Sequence, residues 1–95
     1  MDTVWRLEQG VKLIWHRWDD EYLVFNEGSG ATHLLDTSTA GLLQTLESSP
    51  QHFSELSTAC CFRYPDVSSE EVEEWLGQSL RQFEKLGLAQ VERAN

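Results

Sequence analysis

The segment from Ser68 to Leu88 constrains this chain more than any other. Val72, Trp75, Leu76, Ser79, Leu80, Phe83 and Leu86 recur at steps of three and four, the spacing of one buried helix face. Ser68 or Ser69 offers a capping oxygen. Glu70, Glu71, Glu73 and Glu74 crowd the first turns, where negative charge meets the positive end of the helix dipole. Lys85 falls in the last turn, and Gly87 is the expected left-handed residue that ends the helix. A helix with one apolar face has to lay that face on another layer, so the rest of the chain must supply one.

The residues before Asp36 read as strands. Val11 to Trp18 is rich in β-branched and aromatic residues, Asp19-Asp20 has turn chemistry, and Tyr22-Leu23-Val24-Phe25 forms a second strand. Asn26 to Gly30 then brings two glycines able to take positive φ, and Thr32-His33-Leu34-Leu35 forms a third strand. Loops this short join antiparallel neighbours, which predicts a three-stranded meander with the first and third strands at its edges. After Asp36 the pattern turns helical. Asp36-Thr37-Ser38-Thr39 is a start signal, and Ala40, Leu42, Leu43 and Leu46 make a short first helix that Ser48-Ser49-Pro50 ends. A second helix from about Ser54 places Phe53, Leu56, Ala59, Cys60 and Phe62 toward the core, before the loop Tyr64-Pro65-Asp66. Leu88 to Val91 reads as a short extended tail. The expected architecture is α+β: a three-stranded antiparallel meander followed by three helices, resembling a winged helix. Residues 1–95 form one domain, without repeats or a dividing linker.

Composition removes several function classes. Seven basic against 16 acidic residues leave a net charge of −9, the wrong sign for nucleic acid or for an anionic membrane surface. With 40% hydrophobic residues and four tryptophans the chain is expected to fold. Its apolar runs span only a few residues and no secretory signal is visible, so a cytoplasmic location is expected. Cys60 and Cys61 are adjacent and read as small residues of the second helix, outside any disulfide framework. His16, His33 and His52 do not stand at metal-ligand spacings. Gly28-Ser29-Gly30 leads into a strand, not a helix, so it reads as a hairpin turn and not as a nucleophile elbow or a phosphate loop. No acid, base and nucleophile set can be assembled, and neither an enzyme nor a cofactor is expected. Trp15 and Trp75 read as core; Trp18, beside Asp19-Asp20, reads either as the rim of the core or as a partner contact.

The segment Tyr22 to Asp36, with its Gly28-Ser29-Gly30-Ala31-Thr32-His33-Leu34-Leu35-Asp36 string, resembles small PqqD-like proteins of the HPr-kinase-related A system. Ala40, Leu43 and Leu46 fit the family's first helix; Glu71-Val72, Leu76, Leu80, Phe83 and Leu86-Gly87-Leu88 fit its last, with Phe83 in place of an aliphatic residue. The resemblance covers roughly Val11 to Val91. It departs at Glu47-Ser48-Ser49-Pro50, where the family usually has a glycine. Proteins of this type include peptide chaperones and RiPP recognition elements. The resemblance implies a non-catalytic domain that holds the leader of a precursor peptide beside the third strand, in a groove closed by the third helix. It would present that peptide to a separate modifying enzyme, by inheritance of the name one related to HPr kinase.

Elementary physics accommodates that role. An unpaired strand edge exposes amides and carbonyls that a partner strand completes, and the third strand carries no lysine or proline to blunt it. The expected site is Thr32, His33, Leu34 and Leu35 facing Gln78, Ser79, Gln82 and Phe83, where the small Ser79 leaves room on a large apolar face. The same edge could pair with a second copy, giving a dimer. Thr3 to Leu7 or Leu88 to Val91 could instead cover it. The competing readings are a winged-helix transcription regulator, whose second helix here offers only Arg63 beyond its end and carries Glu55, or a protein–protein adaptor.

Overall fold

The structure is a computed structural model and describes residues 2–93. Its strands are β1 (Thr3–Leu7), β2 (Leu13–Trp18), β3 (Glu21–Asn26), β4 (Ala31–Asp36), β5 (Gln51–His52) and β6 (Ala89–Arg93). Its helices are α1 (Thr37–Ser48), α2 (Phe53–Arg63) and α3 (Ser69–Lys85). The expected meander is present as β2–β3–β4, antiparallel throughout, and three helices follow it. The fold is α+β.

A second sheet adds to that expectation. β1 lies between β5 and β6 and is antiparallel to both, with Trp5 opposite Gln51 on one side and Val91 on the other. The first and last strands therefore pair with each other, and neither lies on the meander. Arg6 reaches across this pair to Glu92, with Nε 3.0 Å from Oε1.

The inner face of the meander carries Leu13 and Trp15 on β2, Tyr22, Val24 and Asn26 on β3, and His33 and Leu35 on β4, alternate residues in register. Trp15 and Tyr22 meet edge to face at 6.1 Å, and the Trp15 indole N–H donates to Glu47 Oε1 on α1 at 3.0 Å. Leu42, Leu43 and Leu46 of α1 join Val24, Leu35 and Trp5 in the core. Leu76, Leu80 and Phe83 of α3 enter the same core, together with Leu56, Leu88 and Ala89. Helix ends follow the sequence signals: Asp36 Oδ1 accepts from Thr39 N–H at 2.8 Å, Ser68 Oγ accepts from Glu71 N–H at 3.2 Å, and Gly87 has φ +73°. Phe62 departs from expectation. It is 89% exposed because α2 packs through Leu56 and Ser57, not through a stripe that reaches its last turn.

One buried polar side chain joins two loops. Asn26 is 3% exposed, and its Oδ1 accepts from Gly28 N–H at 2.9 Å and Lys12 N–H at 3.3 Å. A Cβ at Gly28 would strike the Gly10 carbonyl, so that close approach requires glycine. Asn26→Ala leaves two donors with reduced access to water, and is expected to cost about 1–3 kcal/mol in a denaturant titration.

The N-terminal strand is fastened to α2 by Asp2. Ser54 Oγ and Ser54 N–H donate to its two oxygens at 2.8 and 3.0 Å, and His52 Nδ1 lies 3.3 Å away. The Ser54 hydroxyl, then the Ser54 amide, with weaker attraction from His52, hold the Asp2 carboxyl below its ordinary value of 3.8. A carboxylate with a depressed folded pKa contributes stability above its unfolded value and loses it as pH falls through the folded one. The stability gap between the wild type and Asp2→Asn should therefore close as the pH drops below about 4. A gap that stays open well below that pH would contradict this linkage.

Candidate functional site

The site is built from the edge of β4 outward. β3 pairs with β4 on one side, and no described strand lies on the other. The orientation of the β4 backbone follows from the meander register. Asp19-Asp20 is a two-residue turn, so Trp18 and Glu21 form its closing hydrogen-bonded pair. Alternation then turns Tyr22, Val24 and Asn26 toward β4, where they bond Leu35, His33 and Ala31. The amides and carbonyls of Thr32 and Leu34 point to the open side. A chain laid along this edge finds two donors and two acceptors unused by the sheet.

The last residue of β4, Asp36, lines a cavity of about 250 Å³ together with Ser38, Cys60, Tyr64, Val67, Glu71, Val72 and Trp75. Three elements meet there: the β4–α1 junction, the end of α2, and the first turns of α3. The Pro65-Asp66 turn folds Val67 back toward Tyr64, whose carbonyl accepts from Val67 N–H at 3.1 Å. The Tyr64 hydroxyl lies 3.1 Å from Ser38 Oγ. Val67, Val72, Trp75 and the Tyr64 ring make the cavity apolar, while Asp36 and Glu71 bring carboxylates to its lining. Burial pushes the Cys60 thiol up, neighbouring Cys61 adds to this and Arg63 opposes it, so Cys60 is a neutral wall residue at physiological pH. The arrangement suits a large apolar side chain flanked by positive charge.

The residues expected from sequence fall into separate groups. On β4, the side chains of Thr32 and Leu34 stand on the outer face and are exposed, while His33 and Leu35 turn inward. Leu35 belongs to the core, and His33 is half-buried with its Nε2 enclosed and unbonded. On α3, Phe83 is core, Ser79 is half-buried, and Gln78 and Gln82 are exposed. Helical spacing puts Glu71, Trp75, Gln78 and Gln82 on one stripe with Ser79 beside it, so the expected α3 residues prolong the cavity wall. Asp36, Tyr64, Val67, Glu71 and Trp75 were not legible as site residues. The available signal was an aromatic–proline pair, Tyr64-Pro65, in a connection between helices.

Among the described residues no group of three or more His, Cys, Asp and Glu side chains is placed to hold a metal ion, and no helix is long and apolar enough to cross a membrane.

Comparison with solved structures assigns the fold. The chain superposes on the structure described as TbiB1 in complex with the TbiA(beta) leader peptide, with a TM-score of 0.72 and 22% identity over 95% of this chain and 99% of that one. The two share an α+β architecture. No family model and no curated protein matches the chain.

Proposed function

We propose that this chain is a non-catalytic peptide-binding domain that takes the leader of a precursor peptide as an added strand on β4. It would present that peptide to a separate modifying enzyme, in the manner of the PqqD-like chaperones its sequence resembles, with an HPr-kinase-related partner the specific form of that reading. The observation that carries the proposal is the conjunction of an unpaired strand edge with a side-chain cavity at its end. The fold neighbour supports it, since that protein is described with a leader peptide bound. Main-chain pairing with Thr32 and Leu34 supplies affinity, and the cavity selects an apolar side chain with lysine or arginine nearby. A DNA-binding regulator is disfavoured by the net charge of −9. Duplex DNA should give no mobility shift at physiological salt, and tight, salt-sensitive binding would reverse that ordering.

The direct test is a backbone NMR titration with the leader segment of a precursor peptide encoded beside this protein's gene. Shifts are expected on residues 32–36 and along Glu71, Trp75, Gln78, Ser79 and Gln82. Shifts concentrated on β2 around Leu13 to His16 would place the peptide on the wrong edge and sink the site assignment.

A further inference from the structure

The outer face of the meander carries an exposed apolar patch that no described residue covers. Ile14 is 51% exposed, Trp18 64%, Phe25 38% and Leu34 60%, and the register sets them, with half-buried Leu23, on one side of three adjacent strands. The opposite side of the same sheet is covered by α1. An antiparallel sheet commonly leaves one face to solvent, and that face is ordinarily polar. Here the solvent face holds these five apolar side chains among His16, Glu21 and Thr32.

The charges around that face decide what could cover it. Trp18, Leu23 and Leu34 share a recess with Asp19, Asp20 and Glu21 at the β2–β3 turn. Arg17, the cation at this turn, is engaged with the Asp19 carbonyl at 3.4 Å. A second copy would bring another −9 charge and the same acidic turn, so self-association is disfavoured. The width also selects. Strands about 4.8 Å apart put β2 and β4 roughly 10 Å from each other, close to the diameter of an α-helix.

We infer that the outer face of β2–β3–β4 docks an amphipathic helix of a partner protein, with its apolar side on Ile14, Phe25 and Leu34 and a lysine or arginine in the Trp18–Glu21 recess. Apart from Leu34, whose side chain lies on this face and whose backbone lies on the edge, this surface is distinct from the β4 edge and its cavity, and it does not depend on the peptide-binding reading. If both hold, a peptide added to β4 widens the same face by one strand, so the partner helix and the bound peptide would lie side by side.

The test uses a synthetic amphipathic helix of leucine and lysine, stiffened with α-aminoisobutyric acid so that it cannot add as a strand. Its control has glutamate for every lysine. In an NMR titration the lysine helix should shift the side-chain signals of Ile14, Leu23, Phe25 and Leu34, and the glutamate helix should bind about tenfold more weakly or less. Phe25→Glu, a change on an exposed side chain, should abolish the response with the spectrum still dispersed. The double variant Asp20→Asn, Glu21→Gln should weaken it several-fold with the apolar face intact. Equal binding of the two helices would overturn the inference, as would shifts confined to the β4 edge and the α3 stripe. A dimer in sedimentation that Phe25→Glu dissociates would overturn it too, by showing that a second copy is the occupant.

Discussion

Leu80→Ala should lower stability by about 2–5 kcal/mol, enough to remove a large share of what a domain of this size possesses. Leu80 is fully buried midway along α3, in the core that α1, the meander and the second sheet share. Truncation there leaves a void that the surrounding helices and two sheets fill only partly. The measurement is a denaturant midpoint at constant slope. A midpoint equal to that of the wild type would mean that α3 does not lie as described, and the cavity formed by its first turns would be misplaced with it. Gln82→Ala is the control on the same helix. Its side chain is exposed, and the change should fall within about 0.5 kcal/mol.

The second large effect is on peptide binding. Leu34→Pro should weaken it by about tenfold or more while leaving the β3–β4 ladder intact. The reason is directional. The Leu34 N–H points away from β3, so proline removes a donor from the open edge and none from the sheet. His33→Pro makes the opposite change, because its amide bonds Val24, and it should unfold the meander. Thr32→Ala keeps the backbone and should bind almost as the wild type does. If Leu34→Pro binds undiminished while its spectrum stays folded, the peptide does not add to this edge. Calorimetric titration of the three variants separates these outcomes.

The parts of the fold that could be read from sequence are those whose signals are local. The meander announces itself through β-branched and aromatic runs separated by two-residue and glycine-containing turns, and α3 through six apolar positions bracketed by Ser68 and Gly87. The second sheet does not. Thr3 to Leu7 has a plausible strand composition, but its partners lie at Gln51-His52 and Ala89–Arg93, and nothing local specifies that pairing. Phe62 misled because its spacing fits a buried stripe, although α2 turns that position to solvent. The candidate site divides the same way. The unblunted strand is visible in Thr32 to Leu35, whereas the cavity depends on how the Tyr64–Ser68 connection brings Val67 and Trp75 together. That approach is tertiary, and Trp75 on its own reads as an ordinary core residue.

The pairing of β1 with β6 also bears on the order in which this chain folds. The meander closes over a few residues at each turn, and α1 follows it directly, so these pieces meet quickly. The register that sets Thr3 opposite Arg93 spans almost the entire chain. Closing a loop of that length costs more entropy than closing a hairpin, so this pairing is expected to form late in folding. On a ribosome the N-terminal strand would wait unpaired on its main side until residues 89–93 emerge, with β5 its one available neighbour in the interval. The β4 edge, by contrast, exists as soon as the meander and α1 have packed. Refolding should thus show protection of β3 amides ahead of those in β1, and the domain would become able to pair with another strand before its own ends are joined.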